Sequence, residues 1–121
     1  MSWHFTADRP IYSQLMEHLS ISIITGLYPA GSRLPSVRDL AGEAKVNPNT
    51  MQRALAELEN LGLVYAERTS GRFVTEDTEM IHTIKHELAQ KRITQFFADM
   101  ESLGIEYQQA LNMAAAGKEL K

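Results

Sequence analysis

The sequence predicts a mainly α-helical fold with a small β-hairpin, followed by a short two-helix tail. Three observations predict it. Apolar residues recur at helical spacing in three early segments, a glycine-punctuated stretch of alternating residues follows them, and a second helical pattern begins near Asp77. A length of 121 residues suits one compact domain with an appendage. It leaves no room for a TIM barrel or a kinase.

The first helix is expected after Pro10, where Ile11, Leu15, Leu19 and Ile23 repeat every four residues along one stripe. Proline suits a first turn because its missing N–H would be unpaired there. Gly26 and Pro29 stop the pattern. Ser36, with Asp39 three residues on, resembles a capping box and opens a short second helix with Val37, Leu40, Ala41 and Ala44 on its apolar face. Asn47 is a good N-cap and Pro48 fits the first position of a third helix. That helix turns Met51, Ala54, Leu55, Leu58 and Leu61 inward and ends at Gly62. Leu63 to Arg68 reads as a strand, Thr69-Ser70-Gly71-Arg72 as a turn and Phe73-Val74-Thr75 as the returning strand. Residues 9–76 therefore match a winged helix-turn-helix layout, with the helix-turn-helix at about 36–55 and the wing at about 63–75.

Residues 77–121 form the tail. Ile81, Ile84, Leu88, Phe96, Phe97, Met100 and Leu103 mark a long helix whose register shifts around Lys91-Arg92. Gly104 breaks it, and Tyr107 to Ala116 reads as a second helix ending at Gly117. Two helices alone bury such a set poorly, and an exposed apolar patch of that size marks an interface. A homodimer is expected, with Ile84, Leu88, Phe96, Phe97, Met100, Leu103 and Leu111 at the contact.

The chain has no cysteine, which excludes a disulfide framework, a thiolate zinc site and a cysteine nucleophile. No apolar run approaches the ~20 residues of a membrane span, and MSWHFTADRP is not a signal peptide. A soluble, cytoplasmic protein without membrane partners is expected. The net charge of −3 does not advertise nucleic-acid binding, since residues 1–76 hold seven basic and eight acidic side chains. Placement matters more than the sum. The second helix of a helix-turn-helix leads with its N-terminus into the major groove. There stand Asn49, Thr50, Gln52 and Arg53, all hydrogen-bonding, while Glu57 and Glu59 lie at the far end. Gln pairs bidentately with adenine, Arg forks onto guanine, and a helix N-terminus attracts phosphate. Arg38 lies on the supporting helix where a phosphate strand would cross, Arg68 and Arg72 flank the hairpin turn, and Gly71 permits close approach. Taken singly, each arginine reads as ordinary solvated surface charge; together on one fold they point to double-stranded DNA.

Pro10-Ile11-Tyr12, Pro29 to Arg38, Asn47 to Ala54 and the hairpin Arg68 to Val74 resemble, in order, the DNA-binding domain of GntR-family bacterial transcription regulators. The resemblance covers about residues 9–75, and the two-helix tail looks like the YtrA subfamily. It implies a homodimer on a two-fold symmetric operator, with DNA touched by Ser36, Arg38, the stretch Asn47 to Arg53 and the hairpin tip at Gly71. YtrA-like regulators are commonly repressors encoded beside membrane transporter genes. The sequence departs from the family pattern at Pro48, where an arginine is common. It departs again at Lys45 and Thr69, where glycines are frequent. A left-handed backbone at Lys45 would cost about 1 kcal/mol.

Two other readings compete. His82 and His86 have the i, i+4 spacing that can hold a metal on one helix face, with Glu79 a turn earlier, which would make a metal-responsive regulator. A polar helix face without metal is the simpler reading, and no cofactor is expected. A winged helix can also serve only as a protein-interaction module. No catalytic array or phosphate-cradling glycine loop is present, so no enzyme is expected. The operator, the regulated genes and any small-molecule effector have no signature in the residues.

Overall fold

A computed structural model describes residues 3–119. Its contacts divide the chain into two units, residues 1–84 and 85–121.

The first unit contains α1 (Ile11–Ile24), α2 (Val37–Ala44), α3 (Pro48–Leu61), β1 (Val64–Glu67) and β2 (Gly71–Val74). Both α1 and α2 pack on α3. Leu15 and Leu19 of α1, Leu40 of α2, and Met51, Leu55 and Leu58 of α3 are fully buried, so the stripes expected from the spacing meet in one core, while Ile11 at the start of α1 is 38% exposed. Leu63, Val64 and Val74 close it from the hairpin side. Leu61 departs from its expected inward position. It is the last residue of α3 and is 48% exposed.

Pro10 is the residue before the first helical one, not part of the first turn. The approach to α1 is held instead by buried Gln14. Its Nε2 donates to the carbonyls of Thr6 (2.8 Å) and Arg9 (2.9 Å), and its Oε1 accepts from the Thr6 N–H (2.7 Å). Three bonds to backbone satisfy a buried amide that would otherwise be costly.

The caps fall where the sequence places them. Ser36 Oγ accepts from the Asp39 N–H at 3.1 Å, and Asn47 Oδ1 accepts from the Asn49 N–H at 2.8 Å. After α3, the Gly62 N–H bonds Glu59 O and the Leu63 N–H bonds Leu58 O, a Schellman pair around a left-handed glycine. Lys45 takes the same left-handed conformation after α2, with φ 58° and ψ 46°, and is the one described non-glycine residue with positive φ. The strained alternative foreseen for Lys45 is thus the one adopted. Lys45→Gly is expected to stabilise the protein by about 0.5–1 kcal/mol, less than the full strain because glycine gains freedom in the unfolded chain. Thermal melts of Lys45→Gly beside Lys45→Ala check this: only the glycine should melt higher, and an equal rise in both would assign the gain to the lost charge.

The hairpin is antiparallel, pairing Val64 with Val74, Tyr65 with Phe73, Ala66 with Arg72 and Glu67 with Gly71. The register corrects the expected turn: Gly71 and Arg72 belong to the returning strand, and Arg68, Thr69 and Ser70 make the turn. A third segment joins it. The Leu34 N–H donates to Arg72 O and the Val74 N–H to Ser32 O, each at 2.8 Å, and Arg33 bridges Phe73. The chain entering α2 is thereby laced to the wing.

Helix α4 runs from Thr78 to Ser102, with the Asp77 carboxylate accepting from the Met80 N–H, and α5 from Tyr107 to Glu119. Helix α4 continues through Lys91-Arg92, and α5 continues through Gly117 instead of ending there. In the first unit, Ile81 and Ile84 are half-buried against the core. Ile84 therefore packs in part against the core of its own chain. Within the second unit Phe97 meets Phe96 edge-on and lies 4.6 Å from the Tyr107 ring, and Ala110 is buried. Leu103, Tyr107, Leu111 and Met113 stay exposed. Among the described residues, no helix is long and apolar enough to cross a membrane.

Candidate nucleic-acid interface

Helices α2 and α3 are joined by Lys45, Val46 and Asn47 alone, a tight turn that brings the start of α3 to the surface. Asn47, Asn49, Gln52 and Arg53 are exposed there and Thr50 is half-buried. Asn47 is committed in part, since its carbonyl oxygen caps the helix. The Ser36 hydroxyl likewise caps α2. Arg38 is exposed on α2, and Arg68 and Gly71 are exposed at the wing. Gly71 has φ 104°, a conformation side chains rarely adopt, which suits a wing strand that something must approach closely.

Arg72 stands differently from its expected role as an open contact. It is half-buried, and its Nε donates to Glu59 Oε1 at 2.5 Å. The pair ties the wing to the end of α3 and neutralises a charge that the sequence offered to DNA. Arg33, by contrast, was not singled out from the sequence and is exposed beside the wing. A Cβ added to Gly71 would lie 3.2 Å from Arg33 Nε, so this guanidinium rests against the wing strand. With Pro35, Ser36, Asp39, Gly71 and Arg72 it lines a groove of about 660 Å³ between the wing and the start of α2. Arg33 stands among the small and apolar residues that lead into α2, and the backbone bridge to Phe73 brings it to the wing. Tyr12 was also passed over: the Arg53 guanidinium lies over its ring, 3.6 Å from the centroid. Arg33, Arg38, Arg53 and Arg68 make no ion pair among the described residues.

His82 and His86 are both exposed on α4. Among the described residues no three His, Asp or Glu side chains come together as a metal would require, so Glu79 does not complete a site with them.

Residues 11–74 match the family model for bacterial regulatory proteins of the gntR family, which covers more than half of the chain. The chain belongs to the GntR family. As a member it is a DNA-binding transcription regulator with a winged helix-turn-helix domain. This GntR-family chain is 34% identical over 111 residues to the uncharacterized HTH-type transcriptional regulator YhcF of Bacillus subtilis, covering 92% of each. It is 30% identical to the HTH-type transcriptional repressor YtrA of the same organism, over 83% of this chain and 78% of that one. A solved GntR-family transcriptional regulator from Listeria monocytogenes superposes with a TM-score of 0.85 at 37% identity, covering 97% of this chain and all of that one. The likeness to YhcF and to the Listeria regulator therefore extends over the tail as well as the winged domain. These relatives are described as transcription regulators, not as enzymes.

Proposed function

We propose that this GntR-family chain is a cytoplasmic repressor that binds a two-fold symmetric operator as a homodimer. The observation that carries the reading is the start of α3, where Asn49, Gln52 and Arg53 are exposed on a capped helix end and Glu57 and Glu59 lie toward the other end. In this reading Asn49, Thr50, Gln52 and Arg53 meet base edges. Arg33, Arg38 and Arg68 meet phosphates, with Ser36 and Gly71 close to the backbone. The tail joins two copies through Leu88, Phe96, Phe97, Met100, Leu103 and Leu111, of which Leu103 and Leu111 are exposed. The likeness to YtrA, which is named a repressor, supports the sign of regulation. Control of a transporter operon is a further part of the proposal, carried by the resemblance to the YtrA subfamily alone.

Selection of binding sites from a random duplex library, followed by anisotropy across a salt series, tests the proposal. An inverted repeat with half-sites about one helical turn (~34 Å) apart is expected. Three phosphate-facing arginines per protomer place the slope of log affinity against log salt at about −5 for a dimer. An enriched single half-site would overturn the dimer. Failure to enrich any sequence would leave the family's fold without the proposed readout.

A further inference from the structure

We propose that Tyr12 is a positioning residue for DNA recognition, holding the Arg53 guanidinium in the pose from which it reads the operator. The inference rests on the proposed role of α3. Tyr12 lies on the second position of α1 and is half-buried, while Arg53 is exposed on α3. Packing of α1 on α3 brings the two together, with the guanidinium carbon 3.6 Å from the ring centroid.

Three physical points turn this contact into a function. A guanidinium is planar, delocalised and weakly hydrated on its faces, so a tyrosine ring can cover one face at small desolvation cost. The N–H donors of a guanidinium lie in its plane. A ring that covers a face leaves those donors available for a bidentate bond to a guanine edge. Finally, an exposed arginine has many rotamers, and part of that freedom is lost whenever the side chain is fixed on DNA. The ring of Tyr12 fixes it beforehand.

Arg53 makes no ion pair among the described residues, so the aromatic face is the contact that orients it. The ring makes the contact, and the phenol hydroxyl takes no part in it. This distinguishes the proposal from a direct Tyr12 contact with DNA.

The test is a double-mutant cycle on the full-length protein, using the duplex selected above and a scrambled duplex of equal length. The variants are Tyr12→Phe, Tyr12→Leu, Arg53→Ala, and Tyr12→Leu combined with Arg53→Ala. Tyr12→Phe should bind the selected site as the native protein does. Tyr12→Leu should weaken it about two- to fivefold per protomer, the range expected for an exposed cation–π contact, and should bind scrambled DNA unchanged. In the Arg53→Ala background Tyr12→Leu should have no further effect. Melting curves of each variant accompany the binding data, and Tyr12→Phe keeps the core filled should leucine loosen it.

Equal losses from Tyr12→Leu with and without Arg53 would overturn the proposal, because Tyr12 would then act on its own. So would a Tyr12→Phe variant as weak as Tyr12→Leu, which would assign the effect to the hydroxyl. If Arg53→Ala itself binds the selected site normally, the proposed role of Arg53 fails first. If Arg53→Ala is weak and Tyr12→Leu is not, the positioning role alone falls.

Discussion

Leu103→Glu combined with Leu111→Glu is expected to yield a monomer in sedimentation and to lose operator affinity by a factor of about 100 or more. Both side chains are open, 69% and 43% exposed, so the substitutions leave the packing of the single chain largely undisturbed. If this surface joins two copies, each copy buries two carboxylates where apolar contact is needed, a cost of several kcal/mol per interface. The loss on DNA then follows from multivalency. Two half-sites bound by one linked molecule gain about 10²- to 10⁴-fold over one, and separation removes that gain without touching a DNA contact. Phe97 is a poorer choice for the experiment, because its ring lies against Tyr107 within the same unit and a glutamate there would damage the tail itself. An unchanged circular dichroism spectrum with a dimeric sedimentation coefficient would place the interface elsewhere.

Arg38→Ala and Gln52→Ala are expected to weaken binding by similar amounts on the operator and by different amounts on random DNA. Gln52 projects from the exposed start of α3. As a reader of one base pair per half-site, it should cost about 1–3 kcal/mol on the selected sequence and relax preference at that position alone. Arg38, exposed on α2, is assigned to phosphate. Its removal should weaken all sequences alike and reduce the salt slope by about 1 per protomer. Anisotropy titrations on selected and scrambled duplexes at several salt concentrations separate the two. Parallel losses on both duplexes from both variants would undo the division of roles.

Most of the local structure was legible in the residues because it is set by neighbours a few positions apart. Ser36 and Asn47 cap the helices that follow them, and Gly62 and Gly104 follow the ends of α3 and α4. The buried stripes of α1 and α3 follow from periodicity alone, since residues three and four apart share a helix face. What escaped is what depends on residues distant in sequence. The lacing of Ser32 to Leu34 onto the wing involves a segment too short to show alternation. The Arg72–Glu59 and Arg53–Tyr12 contacts join different elements, and no spacing rule reports which surface charge will find a partner. Leu61 and Gly117 were misplaced for a related reason. The apolar period continues to the last turn of α3 although the core beneath it does not, and a glycine inside a helix is a cost of about 1 kcal/mol, not a stop. The helices and hairpin that carry the candidate site were accordingly legible in the sequence, and the pairing of their individual side chains was not.

The ion pair between Arg72 and Glu59 has a bearing on how such a regulator finds its target. Attraction to random duplex grows with the number of cations offered to phosphate, and here one wing cation is withdrawn on a molecule whose net charge is already −3. The pair is therefore expected to weaken the sequence-independent attraction to random duplex. Occupancy of a target would then be expected to depend on the tightness of the match more than on a reservoir of loosely held copies nearby.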